Sequence, residues 1–483
     1  MKASRYNIWS SRDGREYVFN GVSGAFMALS ATDRGNVERF LAGAAPDATI
    51  EPLLTELTRN RVLIADDVDE LRVLEGRFKA HRYDHRTLGL TLITSLGCNF
   101  DCPYCYEAKH PSIMSPAVEA AILKLVDDSV GRIESLSVTW FGGEPLVGKR
   151  PLLRLSDAFI ERCDAAGIAY SATMVTNGWH LTRETCEELA ARRVNDVQVT
   201  LDGPPDIHDI KRPLVGGGPT FWRIVENLEH AVDYFDINVR VNVDTANIGR
   251  AEDLVQILAE RGLAGRLDIG LGALMDYSEA NAPRDDRARC FSKAEYADIY
   301  EEFRTLALRY GFGKRAVLPA PAGLCTAAKT SSLLVGSEGE LWKCWDNVGD
   351  PDEVFATIFD LNDINTRLHK WLNYDPFAND ECRSCMALPV CLGGCPHHAM
   401  IPEMYDKRCG NFRFTYQQQV DRFAEEYERK AAGLPPLTER ATPMLDGYRA
   451  QAIATIAGGV ASSPTSVPVK IGRKPVALAA ANR

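Results

Sequence analysis

The sequence predicts an α/β protein built on a partial, parallel (β/α)6 barrel, with a small α+β module before it and a cysteine-rich region after it. The first observation behind this is a rhythm that starts at Thr87. Six apolar runs, TLGLTLITSL, LSVTWFGG, IAYSATMVTNG, DVQVTLDG, INVRVNVD and LDIGLGALM, alternate with helical patterns. Strand-then-helix units in series place parallel strands beneath right-handed crossovers. The second is the cysteine placement: of the 13 cysteines, all but Cys163, Cys186 and Cys290 fall into two fields, Cys98 to Cys105 and Cys325 to Cys409. The third is size, since 483 residues exceed what one compact domain normally holds.

The elements follow in chain order. Residues 1–84 carry strand-like REYVFN and RVLIAD around helix-like GNVERFLAG and EPLLTELTRN, a pattern similar to a winged-helix module. Residues 85–312 form the barrel, with helices such as SPAVEAAILKLVDDSV, PLLRLSDAFIERCDAAG and TFWRIVENLEHAVDYF between the strands. Functional residues are then expected at the carboxyl ends of the strands, where the loops gather. Over residues 313–431 the alternation stops and Cys, Gly, Pro and Asn rise, so this region is expected to be organised around metal rather than a strong core of its own. It closes with the helix FTYQQQVDRFAEEYERKAAG. Residues 432–483 read as a flexible tail without chemistry.

A formal net charge of −11 argues against wrapping nucleic acid or lying on an anionic membrane, because phosphate binding needs a clustered positive field. The start, MKASRYNIWSSRDGREYVFN, lacks the apolar core of a signal peptide, and no stretch approaches the roughly 20 apolar residues of a membrane span. A cytoplasmic protein is the expectation. Its thiols then remain reduced and read as metal ligands or redox groups before disulfides. Cys163, Cys186 and Cys290 read as small buried apolar residues.

The stretch GCNFDCPYC places Cys98-x3-Cys102-x2-Cys105 directly after the first barrel strand. Three thiolates on one tight loop take three corners of a cubane iron–sulfur cluster and leave the fourth iron free of protein. A structural zinc site normally has four protein ligands, and the nearest further candidate is His110. With Tyr104 just before the last cysteine, this motif resembles the core of the radical S-adenosylmethionine (radical SAM) enzymes. The resemblance implies a TIM-like partial barrel and a cofactor whose methionine part chelates the open iron. It also implies release of a 5′-deoxyadenosyl radical that abstracts hydrogen from substrate, with the electron coming from a donor such as flavodoxin or ferredoxin.

Further stretches match that family in order. Gly142, Gly143 and Glu144 in FGGEP resemble its GGE motif, which implies glycines that let backbone reach the methionine moiety and a glutamate that accepts from its ammonium. Asn177 in VTNG and Thr200 in VTLDG end the next two strands and offer hydrogen bonds to cofactor. Asp202, His208, Asp209 and Arg212 in LDGPPDIHDIKR resemble a run of the peptide-modifying branch. Arg212 suits the cofactor's carboxylate, since a guanidinium fork matches it. Asp202 is the candidate catalytic base if it faces the cavity, and Arg240 and Asn242 are further possible contacts.

The second field runs Cys325-x13-Gly339-x4-Cys344, then Cys382-x2-Cys385-x5-Cys391-x3-Cys395, then Cys409. This order is similar to the SPASM extension, named for its subtilosin, PQQ, anaerobic sulfatase and mycofactocin maturases. The resemblance implies two auxiliary [4Fe–4S] clusters, three in all. Cys382, Cys385, Cys391 and Cys409 would hold the distal one, and Cys325, Cys344 and Cys395 the other. The fourth ligand of the latter is open; Cys290 is the nearest upstream cysteine. His397 and His398 are expected to hydrogen-bond cluster sulfur or to sit at the surface. Zinc in place of the clusters is the alternative.

The functional expectation is a radical SAM peptide maturase that installs a thioether or carbon–carbon crosslink, such as a cyclophane, in a ribosomally made precursor peptide. Relatives of this architecture often pair an edge strand of the N-terminal module with the precursor's leader; a structural cap on the barrel is the competing role for that module. Two other functions stay open. One is a sulfatase-maturase-like dehydrogenase of protein side chains, and the other a non-catalytic metal-binding peptide scaffold.

Overall fold

The computed structural model describes residues 1–457 apart from 47–49, 108, 276–289, 314–315, 322 and 362–365. The chain opens with β1 (Lys2–Ala3), β2 (Asn7–Arg12), β3 (Arg15–Asn20) and β4 (Phe26–Ser30), followed by helices Ala31–Leu41 and Glu51–Arg59, β5 (Leu63–Ile64) and the helix Glu70–Arg82. β2, β3 and β4 make an antiparallel sheet in that order, and β1 pairs with β5.

The barrel strands are β6 (Thr87–Ile93), β7 (Ser135–Phe141), β8 (Ala169–Thr176), β9 (Val194–Thr200), β10 (Asp236–Val243) and β11 (Asp268–Ala273). They pair in sequence order and all in parallel, with Ile93 opposite Phe141 and Thr200 opposite Arg240. Helices Pro116–Ser129, Lys149–Ala166, Arg183–Ala190, Phe221–Ala231 and Ala251–Glu260 cross between them. The period of two explains the two faces of the sheet. In β7, Leu136, Val138 and Trp140 are fully buried with Val118, Ile122 and Phe159 of the helices, whereas Ser135, Ser137 and Thr139 alternate with them. The inner face is therefore polar and partly open, unlike a barrel packed solid with branched apolar side chains.

The cysteine-rich region is not separate from this sheet. β12 (Ser332–Val335) adds in parallel to the free side of β6, and β13 (Glu340–Trp342) and β14 (Ala356–Thr357) follow antiparallel, giving nine strands. Val335, Leu341, Phe355 and Ile358 join the barrel's own core, while Leu334, Trp342 and Val348 pack with Ile93, Leu96 and Phe141 at the ends of β6 and β7. Around the thiols the backbone is short helices and turns, among them Asp380–Ser384, Leu388–Cys391 and Pro396–Met400, and the longer helix Phe412–Ala431 follows.

The N-terminal module docks on this region. Tyr6, Val22, Leu74 and Phe78 share a core with Leu324, Phe377, Leu388 and Leu392. Arg82 fixes the junction, donating to the carbonyls of Ala328 (3.2 Å), Leu372 (2.7 Å) and Tyr374 (2.5 Å).

The expected flexible tail is corrected in part. Residues Pro443–Ala457 form a helix, with Leu445 buried in the barrel core and Tyr448 seated over Gly249. Its apolar residues, in AQAIATIA, show no clear helical stripe, but alanine favours helix without one. The tail from 458 lies outside the described residues.

Candidate active site

The carboxyl ends of β6 to β10 bring the predicted residues to one rim. Cys98, Cys102 and Cys105 lie on the loop after β6, where Cys105 N–H donates to the Cys102 carbonyl at 3.2 Å and turns the chain tightly. The segment after β9 braces that loop: Asp101 N–H donates to Pro213 O (2.8 Å) and Val215 N–H to Asn99 O (2.9 Å). Burial pushes the Cys98 thiol up to about 11 and raises Cys102 and Cys105, and the Cys102 thiolate adds to the rise of both neighbours. Without an electropositive partner such as a metal these thiols stay protonated at neutral pH.

Gly142 and Gly143 serve the cysteine loop. A β-carbon on Gly142, which has φ 109°, would stand 2.7 Å from Ser95 O; one on Gly143 would stand 2.6 Å from Leu96 O and 2.7 Å from Gly97 O. Only glycine lets β7's end lie against the backbone that leads into Cys98. Glu144 is held by the protein itself. Its carboxylate accepts from Leu146 N–H (3.0 Å), Thr176 Oγ1 (2.8 Å) and Asn177 N–H (2.8 Å), and the residue is fully buried. It ties the ends of β7 and β8 together.

Asn177 continues the chain of contacts. Its Nδ2 donates to Asn99 Oδ1 at 2.8 Å and lies 3.8 Å from the Cys98 sulfur, while its Oδ1 accepts from Trp179 N–H at 3.0 Å. Thr200 closes β9, and two residues later comes Asp202. Asp202 is 0 % exposed, so it does not open on the cavity as a base would. It accepts from the Tyr104 hydroxyl at 2.5 Å and from Asn242 N–H at 3.2 Å. The same hydroxyl accepts from Arg212 Nη1 (2.5 Å) and Asn242 Nδ2 (3.3 Å). Burial raises Asp202, against the pull of Arg212 and the Tyr104 hydrogen bond; burial also raises Tyr104. Arg212 stays charged, because Tyr104, Asp202 and Cys102 outweigh the burial that works against it.

The neighbours of this run are structural. His208 is buried with its Nδ1 accepting from Asp202 N–H at 3.1 Å, and Asp209 accepts from Thr220 and Phe221 N–H at 2.8 and 2.9 Å. Arg240 donates to Asn242 Oδ1 at 2.9 Å, which turns the Asn242 amide toward Tyr104. His110 is exposed and faces Glu338 at 3.7 Å. Glu107 escaped the sequence reading: burial pushes it up to about 7, and its Oε2 has no protein partner. Its signal was a carboxylate two residues beyond the third thiol.

The second field divides by mutual influence. Cys391 feels Cys385, Cys382 and Cys409, while Cys344 feels Cys395 and Cys325; burial raises Cys391 to about 12 and Cys344 well above the ordinary thiol value. Arg413 donates to the Cys409 sulfur at 3.0 Å. His397 and His398 are both buried, which corrects the surface alternative, and His397 Nδ1 lies 3.3 Å from Asp346 Oδ2. Between β6, β7 and β12 runs a cavity bounded by Thr91, Ser137, Thr139, Lys343 and Trp345. Among the described residues no helix is long and apolar enough to cross a membrane.

The model of the Radical SAM superfamily matches residues 92–271, from β6 to β11. The chain carries a radical SAM domain. Over 394 residues it is 23% identical to a serine-type anaerobic sulfatase-maturating enzyme of Klebsiella aerogenes, covering 77% of this chain and 92% of that protein. It is 26% identical over 332 residues to the mycofactocin maturase MftC of Mycolicibacterium smegmatis, covering 63% of this chain and 77% of that protein. The solved structure of native anSMEcpe with bound AdoMet shares the fold, with a TM-score of 0.53 at 18% identity over 69% of this chain and 98% of that one.

A radical SAM domain implies S-adenosylmethionine and one [4Fe–4S] cluster, and the rim of this enzyme fits both. Its donor set is three thiols on one loop, the ligand type iron–sulfur clusters take. Asn99 Nδ2 and Arg212 Nε are buried donors with no protein partner, one beside Cys98 through Asn177 and the other in the field of Cys102. Buried donors left without acceptors are costly, and an anionic group on this rim would satisfy them.

Proposed function

We propose that this radical SAM enzyme is a maturase of peptides or proteins that installs a crosslink, thioether or carbon–carbon, in a ribosomally made precursor. The observation that carries the reading is the combination of a three-thiol rim on a polar, partly open barrel with seven further thiols in the region whose strands β12 to β14 extend the same sheet. With Cys98, Cys102 and Cys105 as its ligands, a [4Fe–4S] cluster and S-adenosylmethionine supply a 5′-deoxyadenosyl radical for hydrogen abstraction. The chain's residues do the rest. Gly142 and Gly143 let the cysteine loop seat, Glu144 and Asn177 hold it from β7 and β8, and Tyr104, propped by Asp202, keeps Arg212 directed at the rim. Thr200 lines the same rim, and the cavity at Thr91 and Thr139 offers room for a substrate side chain.

Two auxiliary [4Fe–4S] clusters, on Cys382, Cys385, Cys391 and Cys409 and on Cys325, Cys344 and Cys395, would carry electrons away from an oxidised substrate, and a donor such as flavodoxin or ferredoxin would supply the electron that reduces the cluster on Cys98, Cys102 and Cys105. The N-terminal sheet supports a peptide substrate. β2 is covered by the helix Phe412–Ala431, whose Gln417 Nε2 donates to Trp9 O at 2.8 Å, and β4 is the opposite edge. An edge strand with unpaired backbone groups is a template for a leader peptide. A cytoplasmic setting, with no nucleic acid or membrane partner, belongs to this reading.

The sulfatase-maturase-like reading is favoured by one observation, the 23% identity over 92% of the Klebsiella aerogenes protein. Co-expression of the chain with a short open reading frame beside its gene, followed by tandem mass spectrometry, separates the two. A crosslink removes one hydrogen pair and blocks fragmentation between the joined residues. Side-chain oxidation leaves fragmentation intact, and an unchanged peptide contradicts both.

A further inference from the structure

On the reading above, Cys325, Cys344 and Cys395 would hold the auxiliary cluster nearer β12, which leaves one iron there for a further ligand. The described residues contain one group of side chains whose ligand atoms converge as a metal requires. The Cys344 sulfur, an Asp346 carboxylate oxygen and a His397 ring nitrogen all lie within 4.8 Å of one another.

The local structure holds Asp346 there. Trp345, between it and Cys344, is anchored on the barrel by its ring against Phe141 (centroids 4.5 Å) and by Nε1 donating to Thr91 Oγ1 at 3.3 Å. His397 is stacked on Trp371 at 21° and presents Nδ1 to Asp346 Oδ2 at 3.3 Å. A ligand whose partner fixes its orientation is the usual construction of a metal site.

We infer that Asp346 is the fourth ligand of the cluster on Cys325, Cys344 and Cys395, an oxygen donor positioned by His397. The inference rests on the auxiliary-cluster reading above. It closes that cluster to substrate thiolates and gives it the role of electron carrier.

The test uses the full-length chain with Cys98, Cys102 and Cys105 changed to alanine, so that only auxiliary sites assemble on anaerobic reconstitution. Iron content should be about eight per chain; about four would overturn the auxiliary reading itself. On that background the dithionite-reduced electron paramagnetic resonance spectrum is recorded with and without cyanide for the parent, Asp346→Ala, Asp346→Cys and Cys290→Ala. The expected result is no cyanide shift in the parent, a shift in Asp346→Ala, and none in Asp346→Cys or Cys290→Ala. A cyanide shift already present in the parent, or one gained by Cys290→Ala and not by Asp346→Ala, overturns the inference. Should Asp346→Ala fail to fold, an altered g-tensor in Asp346→Cys supports it and an unchanged one overturns it.

Discussion

Gly143 shows how much of this site depends on single atoms. A methyl group there would press on the carbonyls of Leu96 and Gly97, which are backbone and cannot rotate away. Gly143→Ala is expected to cost about 1–3 kcal/mol, as overpacking does, and to lower iron retention on the Cys98 loop; urea denaturation and iron analysis of the reconstituted protein check both. At this scale the sequence was informative about which residues gather and less so about what each does. The cysteine spacing was legible because three thiols in one tight loop have few other uses. Glu144 and Asp202 were named from motifs, which give a residue without its direction. Both carboxylates turn inward, one to Thr176 and Asn177, the other to Tyr104. Asn99 and Glu107 carried no sequence signal beyond lying among the thiols.

Among the elements, the six barrel strands were readable because apolar runs between helical patterns have one economical topology. The continuation of the sheet through β12 was not, since SLLV among glycines and cysteines is too short a run to predict a partner such as β6. The helix Pro443–Ala457 escaped for a related reason: its alanines carry helix propensity without a stripe to show which side is buried. Leu445 is its anchor in the barrel core. Leu445→Ala should therefore lower the unfolding free energy by about 2–4 kcal/mol, the usual cost of such a truncation. A flexible tail would show no change in the denaturation midpoint.

The whole molecule is three units sharing cores instead of three beads on a string. The N-terminal module packs on the cysteine-rich region, and strands β12 to β14 of that region extend the barrel sheet. Burial raises the thiols of Cys98, Cys344 and Cys391, and on the proposed reading the metal at each site would hold them as thiolates. Everything proposed for the enzyme depends on the rim at Cys98, Cys102 and Cys105 holding a cluster that engages S-adenosylmethionine. The direct measurement is 5′-deoxyadenosine release by the anaerobically reconstituted, dithionite-reduced chain given S-adenosylmethionine. Release by the wild type and none by Cys102→Ala is the predicted result, and a wild type that releases none, or a variant that releases as much, would contradict the account.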